Sequence, residues 1–568
     1  MIGRIILAAA LLLAALPAAA QEEGGQGFPL AVNLAPVRDW SSEQPFIDVM
    51  KTARRWIGHK PGQWGGVSFE ELDARGIFDE DGWPREIPAD LGSVGTVVLT
   101  DLPPRARVYA GRYVLRFKGE GIVEVSGAVR NTRYGKGQVA FDFVPGGMVN
   151  VKIQRTDPKR TGDHVRAITI VRQENEDAFQ RGEIFNPLWR AHLDGFKALR
   201  FMDWMVTNDS GQQGWQGRPK VGDFSYTRNG VPAEVMIRLA NELGAAAWFN
   251  MPHLSDEGYQ RAFAGLVAAR LDKRLRVYVE YSNEVWNWQF DQAEWAEARA
   301  RARWGQKYKG QDYYGMKTAR MAEIWSEVFA GERDRLVVVV ATQAGWLGLE
   351  KAILEAPLWV AENPGATAPP HSYADAYAVT GYFGGFLGAD QRRDLVRRWL
   401  DDSLAQAERE GRQAGLTGAA LDAHIRAHRY DAATTSAMAE LQGPTEGQRQ
   451  DRDKTDTLGY LLDTMLPYHA AIARAYGLDL IVYEGGTHVV GLGAQIDDEA
   501  ITGFFTHLNY TPEMAALYDR LLNRWAALGG GLFALYSDVS VPSKWGSWGH
   551  MRYLGDANPR WRAIERFK

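Results

Sequence analysis

Short apolar runs recur along this chain, each ending in polar or aromatic residues, and most are followed by a segment whose apolar positions have helical spacing. The runs Leu30 to Leu34, Leu199 to Trp204, Ala246 to His253, Val277 to Glu284, Leu336 to Gln343, Ala376 to Phe383, Leu480 to Glu484 and Leu532 to Asp538 predict eight strands. Between them, Pro232 to Leu243, Asp256 to Leu271, Gln292 to Ala302, Met316 to Phe329 and Pro512 to Ala527 predict helices. After the first run, Phe46, Val49, Met50, Ala53 and Trp56 recur at helical spacing, which predicts an amphipathic helix and a first βα unit over 28–60. Eight strands alternating with helices predict an α/β fold, a (β/α)8 TIM barrel, with active residues at the C-terminal strand ends. A doubly wound sheet would want a glycine-rich phosphate turn after its first strand, and no such turn occurs there.

The pattern changes between about 90 and 175. Thr96 to Thr100, Val108 to Phe117, Ile122 to Ser126, Val139 to Val144, Val149 to Ile153 and Ala167 to Val171 alternate without helical periodicity, broken by Gly, Pro and Asn. They predict a small antiparallel β-sandwich inserted into the barrel, whose remainder spans 180–568. The Ala-, Arg-, Gln- and Glu-rich stretch from about 401 to 450 predicts a helical excursion between the sixth and seventh barrel strands.

Composition narrows the partners. Sixty-five basic and 70 acidic residues are well mixed, with net charge -5 and no basic block, which argues against a nucleic-acid surface. Arg4 precedes an apolar run, Ile5 to Leu16, that ends in Pro17-Ala-Ala-Ala20, the pattern of a signal peptide over 1–20 cleaved near Ala20. That run is too short to span a bilayer, so the expectation is a secreted or periplasmic protein without a membrane span. The absence of cysteine removes disulfides and thiolate chemistry. The chain carries 20 Trp and 22 Tyr, several in loop-like stretches such as Lys544-Trp-Gly-Ser-Trp548. Such rings suit either sugar faces or a large aromatic core, and composition leaves both open.

Chemistry concentrates at two strand ends. In Val277-Tyr-Val-Glu-Tyr-Ser-Asn-Glu-Val-Trp-Asn287, strand alternation would turn Glu280, Ser282 and Glu284 to one face and Tyr281 and Asn283 to the other. Two carboxylates on one strand demand cationic or hydrogen-bonding partners. The seventh run ends in Tyr483-Glu484-Gly-Gly, and the fourth and seventh strands of an eight-stranded barrel face each other roughly across its mouth. Glu284 and Glu484 could therefore flank one glycosidic bond, one as acid and one as base or nucleophile. Histidine spacings of the H-x-H or H-E-x-x-H kind are absent, as is a G-x-S-x-G elbow, so neither a metal site nor an esterase is expected, and the mechanism calls for no cofactor.

These residues resemble the clan A retaining glycoside hydrolases, in which an Asn-Glu pair ends the fourth strand and a second Glu ends the seventh. The Glu-Tyr-Ser-Asn-Glu-Val-Trp-Asn stretch is also similar to one found in secreted bacterial proteins described as cellulose-binding. The resemblance covers 28–57 and 180–568. It implies Glu284 as general acid/base, Glu484 as nucleophile and Asn283 as a ligand of the sugar 2-hydroxyl. It further implies that Arg200 contacts the nucleophile, that His253 lines the sugar site, that Tyr382 orients Glu484, and that Trp545 or Trp548 forms a platform. Trp40 and Asp203 would line outer subsites, and Glu280 would be a second partner of Arg200. Held by Arg200 and Tyr382, Glu484 is expected to keep a low pKa and stay ionised while Glu284 holds the proton. Two function classes follow: a retaining glycosidase acting on a β-linked polysaccharide or oligosaccharide, and a carbohydrate-binding protein on the same scaffold without turnover.

Overall fold

The computed structural model describes residues 29–443 and 454–568, so the expected signal peptide lies outside the described residues. Strands are numbered along the chain. The first, β1 (Leu30–Asn33), is buried at every residue. The helix expected after it does not form: only a single 3-10 turn, Val49–Thr52, is present, and Ala53 is already extended. Tertiary contacts override the local periodicity. The Asp48 carboxylate accepts from the Met50 amide at 3.0 Å and from the Ile170 amide at 2.8 Å, and the chain then leaves to pair in a sheet.

That sheet belongs to the inserted domain, which begins earlier than its alternation suggested. Its strands are β2 (Ile57–His59), β3 (Gly66–Val67), β4 (Ser93–Val98), β5 (Gly111–Lys118), β6 (Gly121–Gly127), β7 (Val129–Gly135), β8 (Gln138–Phe143), β9 (Val149–Thr156) and β10 (Arg166–Arg172). They form two antiparallel sheets, ordered β3-β2-β4-β9-β6 and β10-β5-β8-β7. The unforeseen β7 reads Val-Arg-Asn-Thr-Arg-Tyr-Gly and has no fully buried residue. It is the edge of its sheet, where charge replaces apolar alternation and protects an open hydrogen-bonding row.

The chain rejoins the barrel through the helix Pro187–Leu193, which serves as the first barrel helix. The sandwich is therefore an insertion in the loop after β1, on the face where strand ends gather. One continuous apolar core joins the two parts. Phe46 is its hinge: its ring packs 5.6 Å from Trp204, 6.2 Å from Phe185 and edge-on to Tyr226 at 5.3 Å. Ring pairs of this kind contribute about 0.5 to 1.5 kcal/mol each beyond area burial.

The remaining barrel strands are β11 (Ala198–Arg200), β12 (Ala246–Met251), β13 (Val277–Tyr281), β14 (Leu336–Ala341), β15 (Ala376–Phe383), β16 (Asp479–Thr487) and β17 (Phe533–Tyr536). With β1 they close into an eight-stranded parallel barrel in sequence order, so the (β/α)8 architecture with an inserted β domain holds. Strands such as β14, Leu-Val-Val-Val-Val-Ala, are buried throughout, as a sheet covered on both faces requires. The register sets Asn33 beside both Arg200 and Tyr536, and Asn250 beside Glu280. Between β15 and β16 the excursion comprises the helices Arg393–Gln413, Gly418–His428 and Asp431–Gln442. No helix among the described residues is long and apolar enough to cross a membrane.

Candidate active site

Arg200 ends β11 and is fully buried. A buried guanidinium is tolerable only if its donors are all used, and here they are. Nε and Nη2 donate to Glu280 Oε2 at 3.3 and 2.9 Å, and Nη2 also reaches Asn283 Oδ1 at 2.9 Å. Nη1 donates to Asn33 Oδ1 at 3.0 Å and to Glu484 Oε1 at 2.7 Å. Trp248 and Asn250 on β12 add donors to Glu280 Oε2, at 3.0 and 2.8 Å. Glu280 is thus the interior partner of Arg200, and the cation reaches across the barrel to Glu484.

β13 ends before Asn283, and the expected alternation fails there. Asn283 was expected on the face opposite Glu280, yet both accept from the same nitrogen of Arg200. The cause is backbone geometry: Ser282 and Glu284 have φ of +60 and +42°, a left-handed conformation that side-chain-bearing residues rarely adopt. The turn is held from outside. Ser282 N–H donates to the Met251 carbonyl at 2.8 Å, Asn250 Nδ2 donates to the Ser282 carbonyl at 2.8 Å, and Gln292 Nε2 donates to the Asn283 carbonyl at 2.8 Å. Strain stored under such over-determination is characteristic of functional sites.

β16 departs from regularity differently. Against β15, Val379 pairs with Val482 but Thr380 pairs with Glu484, so Tyr483 is an extra residue, a β-bulge. Asn33 Nδ2 donates to the Tyr483 carbonyl at 2.9 Å and pins it. The bulge turns two consecutive side chains into the mouth. The Tyr483 ring lies against the Arg200 guanidinium, 5.2 Å from its centroid, and its hydroxyl donates to Glu284 Oε1 at 2.8 Å. Asn287 Nδ2 donates to Glu284 Oε2, also at 2.8 Å. Glu484 has the Arg200 bond on Oε1 and accepts from the Tyr382 hydroxyl on Oε2 at 3.1 Å. Burial, reinforced by the neighbouring glutamates, raises both phenols, so each stays a donor.

The low pKa expected of Glu484 is overturned. Burial pushes its carboxyl up to about 8; Arg200 opposes this, and the charges of Glu284 and Asp203 reinforce it. Glu484 is 6% exposed, and its one cation is shared with Glu280, so a single positive charge cannot compensate both carboxylates. Asp203 accepts from the Tyr536 hydroxyl at 3.0 Å and is itself raised to about 6 by burial.

The other expected residues divide. Trp548 belongs to the site: its ring lies 5.9 Å from Tyr382 and 5.6 Å from Tyr536 and stacks on His488 at 5.3 Å. Trp545 is 63% exposed beside Lys544, and Trp40 is 50% exposed below the Arg54 guanidinium. Neither is drawn into the Arg200 network. The His253 ring packs edge-on to Trp295 at 5.3 Å, and burial lowers its pKa. No group of three or more metal-ligating side chains occurs among the described residues. Asn33, Tyr483, Asn287 and Tyr536 were not foreseen. Asn33, a polar residue closing the apolar run of β1, had a readable signal; Tyr483 had none, because its direction depends on the bulge.

No family model matches the chain, and no curated protein matches it. Among solved structures it is similar to a fungal β-1,4-galactanase at 11% identity, covering 64% of this chain and 86% of that one, with a TM-score of 0.28. A bifunctional glucanase-xylanase from a metagenome library matches at 10% identity over 66% of this chain and 73% of its own, with a TM-score of 0.32. An endo-β-1,4-mannanase from Cellulomonas fimi matches at 12% over 65% and 62%, with a TM-score of 0.28. Likenesses this distant say nothing of what this chain does, and the barrel rests on its own strand order.

Proposed function

We propose that this protein is a secreted or periplasmic glycoside hydrolase that cleaves a β-linked polysaccharide with retention, by double displacement. The supporting observation is the unequal support of two glutamates at the ends of β13 and β16. Glu484 has a cation and a phenol on its two oxygens, whereas among the described residues Glu284 has only neutral donors, Tyr483 and Asn287. Ionised Glu484 attacks the anomeric carbon while Glu284 gives its proton to the departing oxygen; Glu284 then takes a proton from water, which releases the sugar from Glu484. In this reading Asn283, held by Arg200 and Asn208, binds the sugar 2-hydroxyl, and Trp548 and Tyr536 supply apolar walls.

One observation favours the alternative, a carbohydrate-binding protein without turnover. Burial and the charges of Glu284 and Asp203 raise the Glu484 carboxyl and favour its protonated form, which cannot attack. Glycan turnover by the wild type, Glu284→Gln and Glu484→Gln separates the two. The hydrolase reading expects loss of about 10² to 10⁴-fold for Glu284→Gln and at least as much for Glu484→Gln. Variants as fast as the wild type overturn the assignment. Binding without any wild-type turnover, tested up to alkaline pH, supports the alternative.

A further inference from the structure

A cavity of about 950 Å³ is lined mostly by the connection 201–232, between β11 and the helix Ala233–Leu243. This connection is tied to the site. Asn208 Oδ1 accepts from Asn283 Nδ2 at 3.1 Å and from Gln292 Nε2 at 2.8 Å, and the next residue, Asp209, already lines the cavity. The opposite wall comes from the start of the helix Glu257–Arg270, where the Asp256 amide donates to the Gln213 carbonyl at 3.1 Å. The segment that enters β2 of the inserted domain contributes Arg55. Trp215 also lines the space, and its ring is fixed in advance: the Arg218 guanidinium lies 4.1 Å from its centroid, and Tyr259 and Phe263 meet it edge-on at 5.7 and 6.4 Å. The charged side chains of the lining each have a protein partner. Arg55 donates to Glu70 at 3.1 Å, Arg228 lies 3.6 Å from Asp73, and Asp209 and Asp256 accept from the Asp291 and Tyr259 amides at 2.8 and 2.6 Å. The side-chain amides of Gln213, Gln216 and Asn229 line the same cavity and have no hydrogen-bond partner among the described residues. An amide offers both donors and acceptors, which matches the hydroxyls of an uncharged sugar, and a fixed indole ring offers a flat apolar face that loses little freedom on binding.

We propose that this cavity is an outer glycan subsite that takes uncharged units of the same chain whose inner unit meets Asn283, with Trp215 as its platform and Gln213, Gln216 and Asn229 as its hydrogen-bonding groups. The inference rests on the carbohydrate reading above but not on turnover, and it makes the ligand a polymer long enough to occupy both places. The two contributions differ in kind. The three amides are exposed and exchange water for sugar hydroxyls at little net gain, so they set which units fit, whereas covering the Trp215 ring supplies most of the added affinity. Arg55 brings the inserted domain into the wall of this subsite.

The test is calorimetric binding to the full chain, comparing the trioses and hexaoses of β-1,4-linked glucose, mannose and xylose, with hexagalacturonate as the acidic probe. The expected result is that at least one uncharged hexaose binds about tenfold or more tightly than its triose. Trp215→Ala should remove most of that ratio, Trp215→Tyr, which keeps a ring, should recover part of it, and the double variant Gln213→Ala/Gln216→Ala should lower it less than Trp215→Ala does. Thermal melts identify any variant that fails to fold; the double variant alters only exposed side chains and so keeps the test open if Trp215→Ala does not fold. Equal affinity of the wild type for triose and hexaose, a ratio unchanged in every folded variant, an equal loss for triose and hexaose, tighter binding of hexagalacturonate than of any uncharged hexaose, or no binding of any uncharged oligosaccharide overturns the proposal. Hydrolysis with a ratio that no variant alters removes the subsite and leaves the hydrolase reading. Binding with the expected variant dependence but no hydrolysis leaves the subsite standing and removes the hydrolase reading.

Discussion

β13 and β16 bring the same residue type to one barrel mouth, and each abandons regular strand geometry to do so. β13 ends in two left-handed residues, Ser282 and Glu284, whereas β16 keeps its ladder and inserts Tyr483 as a bulge. The partners differ as well: Glu484 is 6% exposed and tied to Arg200, while Glu284 is half-buried and held by neutral groups. The bulge also couples the two sides, because the residue next to one glutamate donates to the other. Identical carboxylates thus acquire different chemistry from a strand defect and from the charge of one neighbour.

The largest way to break this contrast is Arg200→Met. It leaves Glu280 and Glu484 buried without their cation, and should lower unfolding free energy by about 3 to 5 kcal/mol in urea titration. A loss below about 1 kcal/mol would mean that the network is not what holds the two sides together.

Next come the two phenols. Tyr382→Phe and Tyr483→Phe should each cost about 10 to 100-fold in kcat, the worth of a hydrogen bond to a charged group. They should differ in kind. Tyr382→Phe removes a donor that favours ionised Glu484, so the rising limb of the pH–rate profile moves to higher pH. Tyr483→Phe acts on the proton donor, so its deficit should shrink on aryl glycosides whose leaving group needs no proton. Equal deficits on both substrates would erase the distinction between the sites.

Glu484→Gln sharpens the contrast through stability. The Glu484 carboxyl titrates near 4.5 unfolded and near 8 folded, so between those values the unfolded chain binds fewer protons. Wild-type stability then falls as pH rises, by at most about 1.4 kcal/mol per unit from this group, and glutamine carries no such dependence. The melting temperature of the variant relative to the wild type should therefore climb from about pH 5 to pH 8. A gap that stays flat would show that Glu484 is ionised throughout. The smallest effect is expected of Ser282→Gly, which relieves a left-handed φ but adds chain entropy; the net change should stay within about 1 kcal/mol.

Most of the framework was legible in the order of residues. Eight apolar runs marked the eight barrel strands because a parallel sheet covered on both faces must be apolar along its length, a local and repeated demand. Glu284 and Glu484 stood out because carboxylates close two of those runs, and Arg200 and Tyr382 do contact Glu484 as the resemblance implied. The helix over 46–56 was misread because its periodicity is real but its hydrogen bonds are taken by the sandwich. β7 was missed because an edge strand need not alternate.

What only the tertiary structure decided is where side chains point and what charge they meet. Alternation set Asn283 against Glu280, and the turn at Ser282 brought them to one guanidinium. Tyr483 reads as an ordinary strand residue until the bulge turns it toward Glu284. The direction of the Glu484 pKa followed from a cation shared with Glu280 in a dry interior, a balance of burial against charge that depends on distances the linear chain does not contain.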